Sequence, residues 1–394
     1  MHEHLDRLPE PEPDARAHGD RVAARLGEAI AEAGGALPFD RFMELALYAP
    51  GLGYYSAGAR RFGRGGDFVT APEVSSLFGR CLAAQAAEVL ERLGGGDLLE
   101  LGAGRGTLAA DLLEALEARD RLPGRYLILD VSGALREEQR ETLARRVPGL
   151  LDRVAWLDAL PAGGFRGLVL GNEVADALPV SRFRLAGGRV LEAHVRQGAD
   201  GGFAWSWPEA GGALASRVRA LLDEVGPLPD GYTSELCPRL EPWIASLAGA
   251  LDAGALLLVD YGYPRREYYL PERVDGTLQC HYRHRAHDDP LRLAGLQDIT
   301  AHVDFTALAE AGHAAGLAVA GYTTQAHFLL GCGLDALLGA DDGDVTAARL
   351  ARASEAKTLV LPGEMGERFQ VLAMTRGVAG PWRGFALRDL RARL

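Results

Sequence analysis

The chain has 394 residues and a hydrophobic share of 48%, enough for a buried core and long enough for about two ordinary domains. Its 50 glycines and 20 prolines are a raised share, but below the level that marks a disordered chain. Against 54 acidic residues stand 42 basic ones, a net charge of −12 that repels phosphate backbones and argues against a nucleic-acid partner.

The first 18 or so residues are acidic and proline-broken, with neither a secretory core nor an Arg-rich leader, so they are expected to be loose. Cys81, Cys237, Cys280 and Cys332 lie far apart without a C-x-x-C pair, which points away from disulfides and zinc knuckles and toward a reducing, cytoplasmic setting. No apolar run approaches the roughly 18 residues that a membrane span needs.

Val22, Leu26 and Ile30, then Phe39, Phe42, Met43 and Leu47, recur at helical spacing around the break GGALP, predicting two helices. The segment Ala49 to Pro72 is glycine-rich without periodicity and reads as a long loop of the kind that binds or covers a ligand. A helix follows over Val74 to Leu93. Short apolar runs then alternate with amphipathic segments: DLLELGAG, a helix to about Ala118, RYLILDVS, a helix to about Arg146, VAWLD and GLVLGNE. This alternation implies a parallel, doubly wound sheet. Val180 to Trp207 reads as an inserted antiparallel excursion. A helix near Trp243 returns the chain to the sheet at ALLLVDYG, and LAVAGYTTQ and RFQVLAMT close it. Gly262 to Phe305, dense in Tyr, His, Arg and Asp, is expected to be a second long irregular segment.

The strongest chemical signal is Glu100-Leu-Gly102-Ala-Gly104-Arg-Gly106-Thr107, at the end of a strand and the mouth of a helix. Glycines there permit a tight turn and close approach of backbone N–H groups to a ligand. A nicotinamide fingerprint, G-x-G-x-x-G, would need glycine where Thr107 stands. The form E-x-G-x-G-x-G is instead that of S-adenosylmethionine (SAM) enzymes, with Glu100 able to face the cationic methionine end. Asp130 ends the second strand, where a carboxylate can accept both ribose hydroxyls. Leu157 and Asp158 end the third, offering an apolar wall and an acceptor to adenine. An ordinary strand-to-helix turn, and a solvated loop acid at Asp158, are the bland alternatives.

Beyond the fourth strand lie Asn172, Glu173 and Asp176, at the rim where open α/β sheets bind ligands. Here N-E-V-A replaces the N-P-P-Y of an amine-methylating DNA enzyme, so acids meet the acceptor. Carboxylates suit a guanidinium, which stays protonated and is held best by bidentate pairs. Acids compensating a helix N-terminus are the competing explanation for Glu173 and Asp176.

FGRGGDFVTAPEVSSLFG, LLELGAGRGTLAADLL, GNEVADALPV, LVDYG and GTL…HRAHDDPL…DITAHVDF resemble, in order, the MidA-like methyltransferases, from about Phe39 to Met374. The resemblance implies a class I SAM-dependent methyltransferase fold: Rossmann-like, with a mostly parallel seven-stranded sheet, N-terminal helices and inserted covering elements. It also implies arginine methylation on a protein substrate, as in a mitochondrial member that acts on a subunit of respiratory complex I. Gly66, Asp67, Phe68, Thr70, Pro72 and Glu73 match its G-D-F-x-T-x-P-E motif, expected to fold over SAM. Asn172, Glu173, Asp176, Leu178 and Pro179 match N-E-x-x-D-x-L-P. His284, His287 and Asp288, with His302, Val303, Asp304 and Phe305, match the later segments. Two departures are Val174 and Ala175, where the family carries aromatics and a roomier acceptor pocket is therefore expected, and Asp130 in place of a longer Glu.

The resulting expectation is a SAM-dependent protein-arginine methyltransferase. Glu100, Gly102, Gly104, Gly106, Asp130, Leu157, Asp158, Asn172, Thr70 and Pro72 would bind the cofactor, while Glu173, with Asp176 and Glu73, would orient the acceptor. A small-molecule methyltransferase and a non-catalytic SAM-binding assembly factor are the alternatives. The expected organisation is an N-terminal element over 1–91, an interrupted core over 92–179 and 241–376, an insertion over 180–240 and a second covering loop over 262–305. His281, His284 and His287 with Asp288 and Asp289 are spaced by three, but Pro290 and polar neighbours indicate a loop, not a metal-binding helix face. Tyr54-Tyr55 and Tyr268-Tyr269 read as rings that pack loops down rather than as a substrate groove.

Overall fold

The computed structural model describes residues 8–57, 70–199, 201–339 and 346–394; Gly66, Asp67 and Phe68 lie outside them. The chain separates into two compact units. One takes the described residues of Met1–Phe68 with Asp176–Arg239 and Arg265–His302, and the other those of Val69–Ala175 with Leu240–Pro264 and Val303–Leu394.

The second unit is built on a twisted sheet. Its strands are β1 (Asp97–Leu101), β2 (Tyr126–Leu129), β3 (Val154–Leu157), β4 (Phe165–Asn172), β5 (Leu251–Tyr263), β6 (Ala318–Thr324) and β7 (Phe369–Arg376), in the order β3-β2-β1-β4-β5-β7-β6. All neighbours from β3 to β5 pair parallel, and β7 pairs antiparallel with both β5 and β6. The short strand Val303–Asp304 pairs with the end of β5 off this path. The expected seven-stranded, mostly parallel sheet is therefore present. Apolar runs such as Leu98-Leu99 and Leu168-Val169-Leu170 are buried, as strands covered on both faces must be.

Helix α1 (Ser76–Leu93), helix α2 (Thr107–Glu117) and helix α3 (Gly133–Arg146) belong to this unit. Ser75 caps α1 by accepting from the Leu77 amide, and Gly94 ends it at φ 72°, the usual pairing of a polar N-cap with a left-handed C-terminal glycine. Phe78, Leu82 and Val89 of α1 share one apolar core with Leu98, Leu168 and Leu170. The N-terminal element expected over 1–91 takes in most of α1, which packs instead into this core. α1 and α2 close in at Gly79, where a Cβ would meet that of Asp111 at 2.4 Å.

The first unit has helices Pro13–Glu32 and Phe39–Tyr48. The first begins well inside the stretch expected to be loose: Pro13 is fixed in a helix-compatible conformation at its start and Asp14 suits its dipole. Among the described residues the unit also holds three small antiparallel sheets. Two of them, with strands Ser181–Ala186, Arg189–Glu192, His194–Gln197 and Phe203–Ser206, are the predicted excursion. Val22, Leu26, Phe42, Met43, Tyr54, Val195 and Ile299 form its core. The third sheet corrects the expected irregular segment. Gln279–Tyr282 and Arg285–His287 form a hairpin in which Cys280 faces His287 and His281 faces Ala286, turning at Arg283 and His284, both at positive φ. His281 and His287 thus project from opposite faces of the ribbon. Tyr55 donates its hydroxyl to Asp298 at 2.8 Å, Tyr268 shares a hydrogen bond with Thr277, and Tyr269 donates to the Glu235 carbonyl, so both pairs hold their loops down. No described helix is long and apolar enough to cross a membrane.

Candidate active site

In the order β3-β2-β1-β4-β5 the connections leave β1 and β4 in opposite directions. The crevice at their carboxyl ends is where open α/β sheets place ligands. The turn from β1 to α2 runs through Gly102 (φ 61°), Gly104 (φ 53°) and Gly106 (φ 80°), conformations that side chains with a Cβ adopt only under strain. A Cβ on Gly102 would lie 3.0 Å from Val174 Cγ1, and one on Gly106 3.1 Å from Gln139 Cα, whereas one on Gly104 would meet open space. Val174 is thus turned toward the turn, its other methyl against Gly171.

Asp130 follows β2, buried, its Oδ1 accepting from the Ser132 amide and its Oδ2 from Gln139 Nε2, each at 2.9 Å. Burial pushes its carboxyl above the usual range, and these two bonds with the Arg136 charge oppose the rise. Val131 beside it is 71% exposed between buried Asp130 and Ser132, an apolar surface at the crevice that no motif in the sequence announces. Arg136 ties the strand ends together. Its guanidinium donates to the Asp130 carbonyl at 2.9 and 2.7 Å, to the Leu157 carbonyl at 2.7 Å and to the Asp158 carboxylate at 2.7 Å. The Asp158 side chain is 93% exposed and engaged with that arginine.

Glu100 is buried on β1, accepting the Tyr126 hydroxyl at 2.6 Å. Burial pushes its carboxyl up to about 7, opposed by that bond and helped by the charges of Asp130 and Asp111. Glu73, on the short helix Ala71–Val74 that Thr70 and Pro72 open, accepts from the Thr107 hydroxyl at 2.6 Å. Thr107, the residue that broke the nicotinamide pattern, therefore anchors this segment to the first turn of α2.

β4 ends at Asn172, and Glu173 follows with φ 54° and its amide donating to the Val259 carbonyl at 2.9 Å. Asp260, buried on β5, accepts from the Val174 and Ala175 amides at 3.2 and 2.9 Å, so it fixes the corner that carries Glu173. Its only sequence signal was its place in LVDYG. Asn172 donates to Glu173 Oε1 at 3.1 Å, and its own Oδ1 is buried without a partner among the described residues. Asp176 belongs to the other unit, where it is buried and its carbonyl accepts the Ala301 amide. An open, glycine-lined turn, a buried carboxylate with lone pairs to spare and an orphaned amide oxygen fit a neutral-to-cationic nucleoside ligand. They fit a pyrophosphate poorly.

Residues 81–323 match the model of an S-adenosyl-L-methionine-dependent methyltransferase family. The chain belongs to this family. It is the MidA-like family that the sequence resembles, and the protein is a SAM-dependent methyltransferase. Among solved structures it is similar to a COG1565 superfamily member from Burkholderia thailandensis bound to S-adenosyl-homocysteine, at 45% identity and a TM-score of 0.94, covering 98% of this chain and 100% of that one. Among curated proteins it is similar to the mitochondrial protein arginine methyltransferase NDUFAF7 of Danio rerio, at 29% identity over 86% of this chain and 83% of that protein. The Drosophila melanogaster homolog is 29% identical over 94% and 88%, and the Homo sapiens protein 27% over 86% and 80%. These relatives are named as mitochondrial, so the cytoplasmic setting expected from cysteine usage and the N-terminus does not stand. Reduced cysteines do not distinguish one reducing compartment from another.

Proposed function

We propose that this methyltransferase acts on an arginine side chain of a protein substrate. The observation that carries the reading is the Glu173 carboxylate, set at the switch point by a left-handed backbone and by the Asp260 grip on the next two amides. The curated relatives are named as protein arginine methyltransferases. Bound in the crevice, SAM supplies an electrophilic methyl group. Asp130 would accept the ribose hydroxyls, Val131 and Leu157 would flank the base, the glycine turn would admit the methionine portion, and Asn172 Oδ1 would take a ligand donor. Glu173 would pair with the guanidinium, hold one nitrogen in line with the S–CH₃ bond and accept the proton that nitrogen releases as the N–CH₃ bond forms and the S–CH₃ bond breaks, its electron pair staying on sulfur in the departing S-adenosyl-homocysteine. Glu73 fixes the entry segment through Thr107.

Incubation with methyl-labelled SAM and cell lysate is expected to label protein, and Glu173→Gln to abolish the labelling while S-adenosyl-homocysteine still binds. Label confined to the small-molecule fraction would overturn the reading. For the substrate we propose a respiratory complex I subunit, supported by the family resemblance. Mass spectrometry of arginine peptides from cells with and without the protein tests it.

A further inference from the structure

Gln139 lies on α3, fully buried. We infer that Gln139 is a positioning residue of the cofactor site, fixing the Asp130 carboxylate so that each of its oxygens keeps a lone pair for a ribose hydroxyl. This rests on the role given to Asp130 above.

Each polar end of the Gln139 amide is engaged at the strand ends. Nε2 donates to the Gly104 carbonyl and to Asp130 Oδ2, both at 2.9 Å, while Oε1 accepts from Trp156 Nε1 at 2.8 Å. An indole nitrogen only donates, so Trp156 fixes which end of the amide is oxygen and therefore that the other end faces Asp130 as a donor. With the Ser132 amide on Oδ1, one donor per oxygen sets the carboxylate plane. A carboxylate offers about four acceptor sites, so roughly half of its capacity remains for ligand. The same side chain holds the glycine turn of β1, the end of β2 and the Trp156 ring of β3 in one register. Gly106 permits it, since a Cβ there would press on the Gln139 backbone at 3.1 Å. Burial works against the Asp130 charge and the Gln139 N–H works for it, so removing that donor changes how binding depends on pH.

The test is calorimetric titration of the full chain with S-adenosyl-homocysteine. Gln139→Leu is expected to weaken binding about ten-fold. Added to Asp130→Asn it should cost no more than about two-fold further, because both act through one carboxylate. Gln139→Glu, of the same shape, sets a second carboxyl against Asp130. Its affinity is expected to recover as pH falls and the pair comes to share a proton, and not to recover in the Asp130→Asn background. Additive losses without pH recovery would make Gln139 merely structural and overturn the inference. If Asp130→Asn weakens binding and Gln139→Leu does not, this inference falls alone. If Asp130→Asn has no effect, the Asp130 reading falls and takes it along. Should Gln139→Leu fail to fold, the Gln139→Glu profile decides.

Discussion

Glu100→Gln is predicted to stabilise the protein above neutral pH and to change little below about pH 5. Burial moves the Glu100 carboxyl from its ordinary 4.5 up to about 7. Between those two values the native state keeps a proton that the unfolded chain has lost. Stability therefore falls as pH rises through that window and is level above it. At about 1.4 kcal/mol per pH unit, a rise of this size costs about 3 kcal/mol once Glu100 is ionised. Glutamine keeps an oxygen for the Tyr126 hydroxyl and carries no charge, so it removes that cost. Urea unfolding at about pH 5 and about pH 8.5 should show curves that nearly coincide at the lower pH and separate by about 3 kcal/mol, in favour of the variant, at the higher. An equal difference at both pH values, or a less stable variant at the higher one, would refute the burial argument.

Gly104→Ala should cost only the strain of a left-handed φ, about 1 kcal/mol. Gly102→Ala adds a contact with Val174 at 3.0 Å and should lose more; thermal unfolding of the two orders them, and the reverse order would sink the reading. Asp260→Ala leaves the Val174 and Ala175 amides without their acceptor, about 1 to 3 kcal/mol. It should lower methyl transfer much more than S-adenosyl-homocysteine affinity, whereas equal losses would show that Asp260 does not act through the Glu173 corner. Arg146→Met removes the partner of Asp111, whose carboxyl burial already pushes up to about 6 against the pull of Arg146. The variant should lose about 3 kcal/mol near neutral pH and regain most of it on acidification, as Asp111 takes up a proton; a loss independent of pH would count against the charge explanation.

The parallel sheet was legible because its strands are uninterrupted apolar runs and its helices carry a different period; the glycine turn was legible because three residues lacking a Cβ stand at fixed spacing. The contacts of Gln139 and Arg136 were not legible. They sit in the polar helix GALREEQRETLARR, where the spacing of Leu135, Gln139 and Leu143 marks an inward-facing glutamine, but nothing in the sequence shows that Gly104, Asp130 and Trp156 will surround it. The hairpin at His281–His287 was missed for a related reason. Its turn residues, Arg283 and His284, take positive φ without the Asn-Gly or Gly-x signature that normally announces such a turn. Asp158 was conspicuous as an acid at a strand end, but sequence could not show that Arg136, on another element, would engage it.

One physical asymmetry accounts for where the undetected residues cluster. Within the sheet, ladder bonds satisfy the backbone and apolar side chains fill the space, so Leu98, Leu99 and Leu170 need no polar partner. At the carboxyl ends the ladder stops, and buried N–H and C=O groups must be met by side chains. Arg136 meets the carbonyls that end β2 and β3, Gln139 meets the carbonyl of Gly104, and Asp260 meets the amides after β4. Because these bonds lie above an apolar core that does not depend on them, losing one should disorder the crevice more than the fold. Asp111 with Arg146 is the contrasting case: it links α2 to α3 away from the strand ends, and its loss should register in stability before it registers in ligand binding.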